Sequence, residues 1–288
     1  MPVRVVESKQ NARVKELRQA LAFPGRGTSD LIGIEGPKML GEALRAGLRV
    51  VVVFVAQGAE RSLYSLALPE KIEVLRLPRQ LLDSVLATET PQPVAALVEP
   101  PDWSWQQLLH RDKTKAFIIV LAGIQDPGNM GTILRSAEAF GATGVVSLPG
   151  TVSAWNPKAV RASAGSVFRM PHRAASENEC FEQLRDAGVN VLATTVQGAQ
   201  PADQVDMARA VALIIGNEGN GVSDELLAKA DSRNTIPCPG PVESLNAAMA
   251  TTVLLYEAAR QRAAAMSKPT GSPRGPSKKL PHAMGARR

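Results

Sequence analysis

Asp126-Pro-Gly-Asn-Met-Gly-Thr-Ile-Leu-Arg135-Ser-Ala-Glu-Ala-Phe-Gly141 follows an apolar run, Ala116 to Ala122 (AFIIVLA), and its reading decides the fold. The run has the form of a strand buried on both faces, and Pro127-Gly128 supplies a turn. Asn129 then falls at a natural N-cap position, and Ile133, Leu134, Ala137 and Phe140 give the following helix an apolar face. Arg135 lies in the second turn, on a different side from Leu134. Open α/β sheets bind ligands at the C-terminal edges of their strands, where such a cation would sit. A plain helix with one solvated arginine would carry the same pattern, so this stretch needs support from elsewhere.

Two later stretches repeat the strand-to-helix design. Val211-Ala-Leu-Ile-Ile is a second buried strand, running into Gly216-Asn217-Glu218-Gly219-Asn-Gly221, after which Ser223 caps a helix opened by Asp224-Glu225. The glycine order is not G-x-G-x-x-G and no G-K-[ST] follows, so neither a dinucleotide fingerprint nor a P-loop is present. What remains is bare backbone beside one carboxylate, a surface suited to adenine and ribose edges rather than to several phosphates. The third stretch, Ile236-Pro-Cys-Pro-Gly240-Pro-Val-Glu-Ser244-Leu245-Asn246, is a Pro/Gly loop leading into a helix read as Leu245 to Ala259, with Ser244 as its N-cap. That helix is built almost wholly of small and apolar residues, which implies burial in a seam.

In order and spacing the three stretches resemble the signature motifs of the SpoU (TrmH-like) RNA 2′-O-ribose methyltransferases of the SPOUT superfamily. The match is N-x-G-x3-R at Asn129, Gly131 and Arg135, G-N-E-G-x-G at Gly216 to Gly221, and I-P-x-x-G-x-x-x-S-L-N at Ile236 to Asn246. The resemblance covers about residues 115 to 262. It implies an α/β fold whose open parallel sheet ends in a C-terminal trefoil knot, S-adenosylmethionine as cofactor, and a homodimer. It makes Arg135 the catalytic residue, either a base helped by the substrate's phosphate or a cation stabilising the emerging alkoxide. Asn129, Ser244, Asn246 and Glu218 would orient or organise the site. Thr194, Gly216, Asn217, Gly221, Ile236 and Leu245 would hold the cofactor, largely through backbone groups. Lys158 and Arg161, in Asn156-Pro-Lys-Ala-Val-Arg, would face the substrate.

Upstream, residues 1–98 alternate helical and strand-like segments: a helix from Asn11 to Leu21, a strand at Leu31 to Ile34, a helix from Pro37 to Ala46, and strands at Val50 to Val55, Ile72 to Leu77 and Val94 to Val98. Pro78 to Ala87 reads as a further helix. Ser8-Lys-Gln-Asn11 and Ile34-Glu-Gly-Pro-Lys-Met-Leu40 resemble the small L30e-like RNA-binding domain that precedes many SpoU catalytic domains. Residues 99–114, with Trp103 and Trp105, read as a linker whose tryptophans pack the two domains together. The catalytic domain is expected at 115–265, and the Pro/Gly/Ser-rich basic stretch 266–288 as a disordered tail.

The net charge of +6 equals the six basic residues of that tail, so the rest of the chain is formally neutral. Charge alone therefore does not signal RNA. The local excess near the start (Arg4, Lys9, Arg13, Lys15, Arg18 and Arg26 against Glu7 and Glu16) is more telling, and Arg13 and Lys15 become candidate phosphate contacts. Two cysteines without C-x-x-C spacing and three histidines argue against a metal site and for reduced thiols. No apolar run spans a membrane and the first residues lack a signal peptide's build, so a cytoplasmic protein acting on ribosomal RNA is expected, with tRNA as the alternative substrate. A non-catalytic RNA-binding protein of the same fold is the rival reading.

Overall fold

The computed structural model describes residues 3–24, 30–86, 88–110, 115–196, 198–217, 219–241 and 244–267. Two sheets organise the chain. The first has five strands: β1 (Val3–Val5), β2 (Ile32–Glu35), β3 (Val50–Ala56), β4 (Glu73–Leu77) and β5 (Val94–Val98), in the order β1-β4-β3-β5-β2. It is mixed, since β5 pairs antiparallel with both β2 and β3 while β1, β4 and β3 run parallel. Alternation along β3 separates two layers. Val52 and Phe54 pack with Val14, Leu17 and Leu21 of α1 (Ala12–Ala22), and with Leu82 of α3 (Arg79–Asp83). Val53 and Val55 join Met39 and Leu40 of α2 (Pro37–Arg45) in the opposite layer.

Glu35 explains the Ile34-to-Leu40 motif. Its buried carboxylate accepts from the Thr88 hydroxyl and the Gln92 N–H, both at 2.8 Å, and so anchors the loop leading into β5.

The second sheet is parallel throughout. β6 (Phe117–Leu121), β7 (Gly144–Ser147), β8 (His172–Ala174), β9 (Asn190–Thr194), β10 (Gln200–Pro201), β11 (Val211–Ile215) and β12 (Ser232–Thr235) lie in the order β10-β12-β9-β11-β6-β7-β8. The chain moves outward from β6 to β8, then returns on the far side, where β11 inserts between β9 and β6. One face carries α5 (Pro127–Ala139), α6 (Pro157–Ala162) and α9 (Ala247–Met266), and it shares a single apolar core with β2 and α2 of the first sheet. The other face carries α4 (Trp105–Leu109), α7 (Glu177–Asp186) and α8 (Asp224–Lys229).

Residues expected to be a plain linker therefore do structural work in the second unit. Ser104 closes a capping box with Gln107 at the start of α4, and Leu108 and Leu109 are buried against β6 and β7. The expectation that Trp103 and Trp105 join the two domains is corrected: both pack on the α7 side, with Trp105 Nε1 donating to Glu179 at 2.7 Å and Arg173 stacked on its ring. Both rings are partly buried against the apolar cluster that includes Phe181 and Leu184 of α7. Of the stretch 266–288 expected as a disordered tail, Met266 still belongs to α9 and Ser267 caps it, because the alanine-rich run before them continues the helix; residue 268 onward lies outside the described residues.

Candidate active site

The parallel sheet gathers the loops that follow β6, β7, β9, β11 and β12 at one edge, and cross-links tie several of them together. The Asn217 side-chain amide donates to the Gly123 carbonyl at 2.7 Å, joining the β11 loop to the β6 loop. Thr151 accepts from Gly123 N–H at 3.0 Å and donates to the Leu121 carbonyl at 2.9 Å. The glycine loop itself closes through reciprocal backbone bonds between Asn217 and Gly221, with Gly221 at φ 67°. A Cβ on Gly216 would lie 2.1 Å from the Gly221 carbonyl carbon, so no side chain fits there. At the neighbouring strand ends, the Thr194 hydroxyl donates to the buried Asn234 at 3.3 Å, and the Asn234 side-chain nitrogen has no partner among the described residues.

Helix α5 begins earlier than its sequence suggested. Asp126, not Asn129, is the N-cap: its carboxylate accepts from Gly128 N–H at 2.7 Å, with Pro127 in the first helical position. That backbone bond first, and Lys158 at 3.4 Å after it, hold the Asp126 carboxyl below the usual carboxylate range. Asn129 is thus inside the first turn, buried, and released from capping duty. Helix α9 is shifted the same way. Asn246 caps it by accepting from Ala248 and Met249 N–H, whereas Ser244 and Leu245 are exposed in the preceding loop. The remaining Asn246 N–H group donates to the Asn129 side-chain oxygen at 3.1 Å. Motifs one and three thus meet through two asparagines.

From that contact α5 and α9 run side by side in the same direction. Ser136 and Thr252 share a hydrogen bond of 2.8 Å, and Phe140 meets Tyr256 edge to face at 5.9 Å. Arg135 is on the exposed side of α5, about 9 Å along the axis from Asn129, and forms no ion pair or hydrogen bond with a described residue. Gly131 has a packing role. A Cβ there would lie 2.4 Å from the Ala159 carbonyl oxygen and 2.8 Å from Ser163 N, so its absence lets α5 and α6 touch.

The other candidates divide. Lys158 and Arg161 are exposed on α6, and the Lys158–Asp126 pair sets α6 against the start of α5. Arg13 is engaged with Glu16 at 2.8 Å and Glu73 at 3.4 Å, which raises its pKa, the Glu16 bond contributing most. Arg13 and Lys15 lie on α1, in the layer of the first sheet opposite α2, and are not brought to the motif edge. Glu218 lies outside the described residues. Asp126 was missed, although Asp before Pro at a helix start is a recognisable cap signal.

No lysine or arginine occurs among Gly216–Gly221 or Ile236–Pro241, so that part of the edge offers peptide groups, amides and, in sequence, the one carboxylate of Glu218. This donor set fits the uncharged edges of a nucleoside, and exposed cations lie on the neighbouring helices.

Such an edge, beside a small α/β unit, is compatible with an enzyme that uses a nucleoside cofactor, and the comparisons with known proteins specify which. The family model for the SpoU rRNA methylase family matches residues 116–256, and the model for RNA 2′-O ribose methyltransferase substrate binding matches residues 34–104. The chain belongs to the SpoU family of S-adenosylmethionine-dependent RNA 2′-O-methyltransferases. The 23S rRNA (guanosine(2553)-2′-O)-methyltransferase RlmP of Bacillus subtilis is 32% identical over 251 residues, covering 87% of this chain and 97% of that protein. Among solved structures, the AdoMet-bound rRNA methyltransferase of Sinorhizobium meliloti superposes with a TM-score of 0.78 at 30% identity, over 90% of this chain and 98% of that one. The SpoU methyltransferase AviRb of Streptomyces viridochromogenes, in complex with AdoMet, gives 0.75 at 27% identity, over 88% and 99%.

Proposed function

We propose that this protein transfers a methyl group to a ribose 2′-hydroxyl of ribosomal RNA of the 23S type, in the cytoplasm, with residues 1–98 capturing the RNA and residues 115–265 carrying the reaction. The observation behind this reading is the Asn246–Asn129 bond, which locks the first and third motifs together beside the strand-end loops. S-adenosylmethionine, when bound, supplies the electrophilic methyl group. Thr194, Gly216, Asn217, Gly221, Ile236 and Leu245 would hold it. Asn129, Ser244 and Asn246 would orient the ribose, and Lys158 and Arg161 the neighbouring phosphates. Glu218 would organise the loop it belongs to.

Arg135 suits charge stabilisation better than proton abstraction. A guanidinium keeps its proton in proteins, and this one is exposed, so its full charge is available to a phosphate and to the alkoxide that develops as the hydroxyl attacks. The proton then passes to phosphate or water.

Two copies would complete the site. Met249, Val253 and Tyr256 form an exposed apolar stripe on α9, the helix beside the one bearing Arg135. Burying this stripe against a second chain would place Arg135 near an intersubunit seam. The trefoil knot belongs to the same reading.

The deciding experiment is transfer of labelled methyl from S-adenosylmethionine to unmodified 23S rRNA and, separately, to tRNA, followed by digestion. A single 2′-O-methyl nucleoside from the rRNA is expected. Label in tRNA alone would move the substrate class, and cofactor binding without transfer to either RNA or to ribosomal particles would overturn the enzymatic reading.

A further inference from the structure

Arg169, just beyond the short helical turn Ser166–Phe168, holds two elements that are far apart in sequence. Its Nε and Nη2 donate to the two Glu138 oxygens at 2.6 and 3.0 Å, gripping α5 one turn beyond Arg135. Its Nη1 donates to Glu42 of α2 at 2.8 Å, and Glu42 accepts from Arg45 through its other oxygen. The same corner makes a close steric contact. Ala164 and Gly165 both have positive φ, at 51° and 94°, and a Cβ on Gly165 would lie 2.6 Å from Glu42 Cγ. A non-glycine residue in the left-handed region is uncommon and marks a backbone held by its surroundings.

The first and second sheets also share apolar contacts, with Ile34 and Leu40 in one core with Val160 and Val167. Apolar burial holds surfaces together without fixing their angle. A guanidinium forked between two carboxylates is directional and does fix it. The two roles are separable, which makes the fork testable.

We propose that Arg169 is a positioning residue that sets the angle between the RNA-binding unit and the helix bearing Arg135, so that captured RNA presents its target ribose to the transfer site. This inference rests on the methyltransferase reading above. Loosening the clasp lowers the fraction of molecules with the two units in register, and apparent RNA affinity falls by that fraction. Saturating RNA selects the correct angle, so turnover at saturation survives.

The test compares the wild-type full chain with Glu42→Ala, which removes the arm between units together with the local Arg45 pair but leaves the Glu138 arm, and with Arg169→Ala, which removes both arms. Steady-state transfer to unmodified 23S rRNA should show KM raised about tenfold with kcat within about twofold of wild type. Nitroxide labels at Lys71→Cys and Arg185→Cys, in a Cys238→Ser background, should give a broader distance distribution in either variant. A KM within about twofold of wild type together with an unchanged distribution would overturn the proposal. So would a fall in kcat matching the loss of folded protein at constant KM, which is the mark of a merely structural role. If the wild-type protein itself transfers nothing to the RNA, the functional reading fails, and the label distances alone decide whether Arg169 sets the angle.

Discussion

The two sheets of this protein are built from similar apolar strands, yet they differ in strand direction, and that difference decides where chemistry can be placed. In the parallel sheet each strand must be followed by a crossover, so the loops after β6, β7, β9, β11 and β12 all emerge at one edge. Asn217 reaching Gly123 and Asn246 reaching Asn129 are consequences of that crowding. In the mixed sheet β5 runs against β2 and β3, and strand ends are divided between two edges. The buried carboxylate described there, Glu35, accepts from Thr88 and Gln92 and so holds the loop leading into β5. A parallel sheet concentrates polar loop groups into a site, while the mixed one offers surfaces for contact.

The largest expected effect is in the parallel unit. Arg135→Ala should lower methyl transfer by about a thousandfold or more, equivalent to about 4 kcal/mol of transition-state stabilisation, with cofactor affinity by calorimetry unchanged. Persistent turnover would remove Arg135 from the mechanism.

Gly131→Ala should cost about 3 kcal/mol in denaturant unfolding, because the new methyl meets the α6 backbone. Gly33→Ala, in the mixed sheet, meets chiefly the Leu21 side chain, which can shift rotamer, and about 1 kcal/mol is expected. Equal losses would break the contrast between the backbone contact at Gly131 and the largely side-chain contact at Gly33.

Acid should strike the parallel unit first. Burial pushes His172 down to about 4 from 6.5, opposed only by its bond with the Met170 carbonyl. Between those values the unfolded chain takes up a proton that the native state refuses, so stability is full above pH 6.5 and falls as pH drops towards 4. The loss should total about 3 kcal/mol. Urea unfolding down to about pH 5 isolates this group, since the depressed carboxyls of Glu42, Asp126 and Glu257 titrate only below their ordinary values. His172→Phe should flatten the profile there.

Comparable with Gly33→Ala is Glu35→Ala, which leaves the Gln92 N–H and the Thr88 hydroxyl without their acceptor and should cost about 1–2 kcal/mol. Its transfer rate per folded molecule should match wild type; a collapse in kcat would mean that the mixed sheet takes part in the chemistry.

The strands were legible wherever apolar residues ran continuously: Val94–Val98 coincides with its expected span, and β6 differs from its expectation by one residue at each end. β12, Ser-Arg-Asn-Thr, gave no such signal, because its place in the sheet depends on pairing with β9 rather than on its own composition. The caps were misplaced by two or three residues. Asp126 and Asn129, like Ser244 and Asn246, are all competent capping types, and the loop's entry direction chooses between them. Glu138 and Arg169 gave no sequence signal of partnership, since a charged residue on a helix face and another in a turn are ordinary features.

Local sequence determined the strand–loop–helix units, the residue types in the three motifs and their order, because hydrophobic period, glycine and capping chemistry act within a few residues. Tertiary structure alone decided that Asn246 meets Asn129, that Gly131 serves helix packing, and that Arg169 spans two units. Those contacts join residues more than a hundred positions apart, or opposed faces of neighbouring helices. Only sheet order and helix packing bring them within reach.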